Sequence, residues 1–195
     1  METFFLAFIP IFVAIDPLGS MPFFVGLTEG FTKKEKRKLV FQAVTTALIF
    51  GLVFCFAGTL IFRLLGITPA DFQIAGGLLL LIFSVQEVFG RSQNKPIGEP
   101  ADAFIGIVPI GIPIIAGPAM VTTLLILTDQ YPFLIILLAL LTNLVITLAV
   151  YLSSDKILAT FGEATSKVSA KVFGIFLAAI GIMMIRRGLE TILLK

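Results

Sequence analysis

The residues of this chain best placed to do chemistry are an acid and a proline side by side in an apolar stretch, Asp16-Pro17. Pro17 has no N–H, its ring clashes one turn back, and it pushes the preceding residue away from helical dihedrals, so a helix running through Ile15-Asp16-Pro17-Leu18-Gly19-Ser20-Met21-Pro22 must open near Asp16. Opening exposes carbonyls at the end of one half-helix and N–H groups at the start of the next. In hydrocarbon each costs several kcal/mol unless protein, water or a ligand pairs with it. A carboxylate at that depth costs about 2.5 to 3.5 kcal/mol on insertion scales, so Asp16 needs a role. It can cap the inner half-helix through the N–H of Gly19 or Ser20, it can take a substrate amine or a coupling proton or cation, and the roles can coexist.

A second interruption of the same kind stands later, at Pro109-Ile110-Gly111-Ile112-Pro113 and Ala116-Gly117-Pro118-Ala119. Freed N–H groups with a half-helix dipole behind them suit a carboxylate, and glycine at 19 and 117 lets a ligand approach the main chain. Free carbonyls, Ser20, Thr122 and Thr123 suit an ammonium group. The candidate binding set is therefore Asp16, Pro17, Leu18, Gly19, Ser20, Gly117, Pro118, Ala119, Thr122 and Thr123, and the ligand that fits is a small zwitterion. Thr45 and Asn143, 98 residues apart, are candidate supporting polar residues, with Asn143 expected to face protein.

Other chemistry lacks its residues. Histidine is absent and Cys55 is the single cysteine, which removes imidazole bases, disulfides and cysteine or histidine metal motifs. No Walker-type loop and no paired intramembrane acids are present, so neither an enzyme nor an ATP-driven pump is expected, and no metal or cofactor is called for. The net charge of +2 suggests no nucleic-acid partner.

The elements that must position the interruptions follow from composition. In 195 residues, 58% are hydrophobic and 13% charged, with a mean hydropathy of +1.09, far outside soluble norms. Lipid accepts such a surface where water does not. About 20 apolar residues cross the hydrocarbon core, and six windows qualify: Phe4–Thr28, Leu39–Phe62, Phe72–Phe89, Ala103–Thr128, Pro132–Leu152 and Val172–Leu189. Arg186 and Arg187 at the end of the sixth are expected to snorkel toward head groups, and Tyr131 and Tyr151 to anchor the fifth at the interfaces. Met1-Glu2-Thr3 lacks the positive start of a signal peptide, so the first segment is expected to stay.

Ten of the fourteen Lys and Arg residues lie in the odd-numbered connections, among them Lys33, Lys34, Lys36, Arg37, Lys38, Arg91, Lys95, Lys156, Lys167 and Lys171. By the positive-inside bias those connections are cytoplasmic and both termini face out, in a multi-pass protein of the cytoplasmic membrane.

Both interrupted segments open a set of three. Asp16 and Gly117 are 101 residues apart, and Leu65-Gly66 and Phe161-Gly162 are 96 apart. Phe24-Val25-Gly26-Leu27-Thr28 also echoes Leu124-Leu125-Ile126-Leu127-Thr128. Three spans per half make the second half enter from the opposite side. The expected fold is one all-α transmembrane domain over residues 1–195. Its six helices form a 3+3 inverted-topology repeat with helices 1 and 4 broken: repeat one at 1–90, a cytoplasmic linker at 91–102, and repeat two at 103–195. Gly76, Gly77, Gly174 and Gly181 are expected to let helices approach closely.

Ala14-Ile15-Asp16-Pro17-Leu18-Gly19-Ser20-Met21-Pro22-Phe23-Phe24, the basic loop after it, Ile74-Ala75-Gly76-Gly77 and Ala116-Gly117-Pro118-Ala119 together resemble the MarC family of six-span membrane proteins over essentially the whole chain. Ser20 stands where the family's motif has Asn, and either side chain accepts and donates. The resemblance implies import of glycine, alanine and similar small neutral amino acids, driven by a proton or sodium gradient. Alternating access about a midplane site is the matching mechanism. A channel or an exporter for another small polar solute is the alternative, and the oligomeric state is left open.

Overall fold

The computed structural model describes residues 1–88, 104–159 and 165–193, with side chains at 1–86, 88, 104–157 and 174–193. The expected linker 91–102, the Phe161-Gly162 pair and the side chains of Glu87, Arg91, Lys95, Lys167, Lys171 and Lys195 lie outside that description.

Every element among the described residues is helical. In chain order they are α1 (Glu2–Ile15), α2 (Pro17–Leu27), α3 (Lys33–Leu65), α4 (Pro69–Val88), a π-helical segment (Gly106–Ile115), α5 (Pro118–Gln130), α6 (Phe133–Leu152), the short α7 (Ser154–Ala159) and α8 (Thr165–Leu193). Local sequence sets the boundaries. Thr32 and Glu35 form a reciprocal capping box at the start of α3, and Gly66, at φ 65°, ends that helix in the left-handed conformation glycine tolerates best. Thr68 and Asp71 exchange the same bonds before α4, at 2.8 Å from Thr68 N and 3.2 Å from Asp71 N.

Among the described residues, four spans are long and apolar enough to cross a membrane: Glu2–Leu27, Lys33–Leu65, Pro69–Gln86 and Phe133–Leu152. Gly106–Ile115 with Pro118–Gln130, bent by 56° at the break, makes a fifth if the pair is one span. The expected sixth window, Val172–Leu189, falls within α8, whose side chains are described only from Gly174 onward.

The expected fourth helix is more altered than the sequence suggested. Ile110 N–H donates to Ile105 O and Ala116 N–H to Gly111 O, both five residues back, at 3.2 and 2.9 Å. Val108 and Ile112 depart from helical dihedrals, each directly before a proline in a cis peptide bond.

Large apolar side chains cover the outside, for instance Ile9, Val13, Ile49, Phe56, Leu60 and Val145, all more than half exposed, as a surface in contact with acyl chains requires. Inside, Ile11, Ile15, Ile110, Ile115, Met120, Leu124, Ile136 and Leu140 form the principal core. With lipid as apolar as leucine, association rests on close packing and on interhelical hydrogen bonds. A Cβ on Gly77 would lie 2.5 Å from Gly181 O, and one on Gly181 would lie 2.6 Å from Gly77 O. The backbones of α4 and α8 thus touch where the sequence had suggested close approach.

Tyr151 corrects the expectation of an interfacial anchor. Only 1% exposed, it stacks on Phe24 at 4.8 Å between ring centroids and hydrogen-bonds into α2.

Candidate functional site

Asp16 is the residue on which the first break turns. At φ 46° and ψ 66° it is the single non-glycine residue with positive φ among those described, a conformation that Asp tolerates better than most side chains. Its N–H closes α1 onto Phe12 O at 2.9 Å, and its Oδ1 accepts from Gly19 N–H at 3.0 Å to cap α2. One residue therefore ends one half-helix and starts the other, with Pro17 at the first helical position, where a missing N–H costs nothing. A side chain at position 19 would run into the Asp16 carboxylate.

The second break is built differently. Gly117, extended at φ −82° and ψ 176°, precedes Pro118 at the start of α5, and no side chain caps that start. The partial positive charge of a 13-residue helix is left open there. A Cβ at Gly117 would meet Pro113 O at 2.6 Å, so the chain closes on itself at this point and only glycine fits.

The two breaks line one cavity of about 230 Å³. Asp16, Gly19 and Ser20 face it from the first, Gly117, Pro118 and Ala119 from the second. The Asp16 side has a fixed carboxylate and the Gly117 side has open helix-start N–H groups, so the cavity presents an anionic and a cationic pole. Ser20 is less available than its position suggests. Its Oγ donates to Asp16 O at 2.6 Å and accepts from the Tyr151 hydroxyl at 2.9 Å.

The remaining candidates lie elsewhere. Pro17 is buried behind the cap, Leu18 is 60% exposed on the outer face, and Thr122 and Thr123 are half-buried on α5, outside the cavity lining. Thr45 is exposed on α3. Asn143, fully buried, donates from Nδ2 to Phe8 O at 3.1 Å and Ala139 O at 2.9 Å, so it ties α6 to α1 and does not enter the cavity.

Sequence reasoning overlooked the third wall. Gln73 and Leu80 of α4, and Leu177, Ile180, Met184 and Arg187 of α8, complete the lining. The signal was present, because 177, 180, 184 and 187 fall on one helical face. Arg187, expected to snorkel toward head groups, lines the cavity and pairs with no acid among the described residues; the ion pair on α8 is Arg186–Glu190, at 3.6 Å.

Comparison with known proteins agrees with this architecture. A UPF0056 membrane protein of Methanocaldococcus jannaschii is 32% identical, over 100% of this chain and 99% of its own length. The UPF0056 inner membrane protein YhgN of Escherichia coli is 29% identical over 97% and 98%, and a UPF0056 membrane protein of Pyrococcus abyssi is 27% identical over 97% and 96%. No solved structure matches the chain. The family model of MarC integral membrane proteins matches residues 1–193, and this apolar helical chain with two interrupted segments belongs to that family.

Proposed function

We propose that the chain is a secondary transporter that carries small neutral amino acids of the glycine and alanine class across the cytoplasmic membrane by alternating access, coupled to a proton or sodium gradient. The observation that carries this reading is the pairing of unlike poles in one cavity, Asp16 on one break and the uncapped start of α5 on the other. A zwitterion complements both at once, its ammonium toward Asp16 and its carboxylate toward α5. The reverse orientation would set two carboxylates side by side at the start of α2, where like charges repel.

Size favours a small solute. At about 230 Å³ the cavity is below the range of roughly 300 to 1,000 Å³ that encloses drug-sized ligands. Its walls of Phe23, Leu80, Ile180 and Met184 suit a short apolar side chain, and Arg187 adds positive charge for an incoming carboxylate.

Packing supports the inverted repeat that alternating access calls for. α1 packs on α6 while the π segment packs on α3, and α2 packs on α8 while α5 packs on α4. These four contacts form two pairs related by exchanging the halves, and α4 meets α8 at the reciprocal Gly77 and Gly181 approach. With the basic start of α3, Lys33 to Lys38, in the cytoplasm, both termini lie outside.

The test is uptake of radiolabelled glycine and alanine by proteoliposomes under an imposed proton or sodium gradient. Saturable uptake is the outcome this reading requires. Uptake that rises without saturation favours the channel, and no uptake of any small amino acid under either gradient removes the proposal.

A further inference from the structure

A second cavity, of about 210 Å³, opens among α2, α3, α6 and α7. Lys33, Lys36, Arg37 and Lys156 line it, against a single acid, Asp155. Among the described residues, Lys33, Lys36 and Arg37 outnumber the acid that faces them. Lys36 Nζ takes up Asp155 at 2.8 Å, and the other nearby acid, Glu35, is turned back onto Thr32 N and Oγ1 at 2.7 and 2.6 Å. Lys33 has no acidic partner among the described residues. Holding several cations around a shared hollow is unfavourable unless an anion joins them.

The lining and edge of the hollow indicate the anion's source. Phe24, Val40 and Tyr151, all buried, supply an apolar lining beside the cations. Arg37 lies 5.8 Å over the ring of Phe41, and Phe41 and Leu152 are each 44% exposed on the apolar outer surface. The cationic mouth therefore borders the lipid-facing wall, where acyl chains and head groups meet.

We propose that this cavity is a binding site for the phosphate of an anionic phospholipid, its head group between Lys33 and Arg37 and its chains along Phe41 and Leu152. Basic pockets between membrane helices recognise lipid phosphates through this combination of charge and adjoining apolar surface. The site joins residues from both halves of the chain, since Lys36 and Asp155 are 119 residues apart. A bound lipid would brace that junction.

Native mass spectrometry of the purified full-length chain, titrated with phosphatidylglycerol, phosphatidylcholine or inorganic phosphate, tests the assignment, with heat-resistant folded fraction as a second readout. Phosphatidylglycerol is expected to be retained and to raise the melting temperature, with phosphatidylcholine and phosphate doing neither. Lys33→Gln with Arg37→Gln should cut that retention roughly tenfold or more. Lys34→Gln with Lys38→Gln removes the same charge outside the cavity and should leave retention close to wild type. If the first pair does not fold, each single substitution is expected to lower retention severalfold. Equal loss in both pairs, or stabilisation by inorganic phosphate alone, overturns the proposal.

Discussion

The Tyr151 hydroxyl donates to Ser20 Oγ at 2.9 Å across 131 residues of sequence, and Ser20 Oγ passes a bond to the main chain at Asp16. The end of α6 thereby reaches the residue on which the first helix breaks. The pair is buried, so the two ends of this bond are not equivalent when one is removed. Tyr151→Phe leaves Ser20 still donating to Asp16 O and keeps the stack on Phe24, which should cost about 0.5 to 1.5 kcal/mol. Ser20→Ala strands a buried phenol and should cost more, about 1 to 3 kcal/mol. Thermal unfolding in detergent should rank Ser20→Ala below Tyr151→Phe, and the opposite ranking would break the link between α6 and the first turn.

Asp16 has two roles that substitution can separate. Asn keeps a capping oxygen and tolerates the left-handed conformation, so Asp16→Asn should fold with little loss of melting temperature. Losing the charge should still weaken substrate binding about tenfold to a hundredfold, the worth of a hydrogen bond to a charged group. Asp16→Ala should lose binding and about 1 kcal/mol of stability together. Wild-type affinity in Asp16→Asn would mean that the carboxylate is a cap alone.

Gly77→Ala forces a methyl group against Gly181 O, a backbone atom that moves only if α4 and α8 separate. Overpacking of this kind costs about 1 to 3 kcal/mol. Ala75→Gly, at an exposed position on the same helix, should cost no more than about 1 kcal/mol. Comparing the two melting temperatures isolates the contact, and equal losses would show that the close approach carries no special weight.

Asn143 is held by two carbonyls, but its buried Oδ1 has no partner among the described residues. Replacement by Leu removes an unpaired oxygen along with the interhelical bond. Polar contacts between membrane helices average about 0.6 kcal/mol, so Asn143→Leu should shift stability by no more than about 1 kcal/mol. A loss of several kcal/mol would point to an unrecognised partner for Oδ1.

How much of this was legible follows from which signals are local. The break at Asp16 could be read directly, because proline and a capping acid act on their immediate neighbours. The gap before Gly117 was legible for the same reason, while the π geometry of Gly106–Ile115 was not, since two proline-disrupted residues admit several backbone paths and packing against α3 selects among them. Thr122 and Thr123 illustrate another limit. They follow the break closely in sequence, but the helical turn carries both away from the cavity. Tyr151 resembled an interfacial anchor because it ends an apolar run, and only its contact with α2, 131 residues earlier, buries it. Arg187 reads as a head-group residue from its place near the end of an apolar helix, and it lines the cavity because α8 packs along α4 and α2.

The central claim, that one zwitterion bridges Asp16 and the start of α5, is tested most directly by equilibrium binding of glycine alongside two analogues that each lack one charge, ethylamine and acetate. The account predicts measurable glycine binding, at least tenfold weaker binding of both analogues, and loss of the glycine preference over acetate in Asp16→Asn. Binding of acetate as tight as glycine, unchanged by Asp16→Asn, would contradict it.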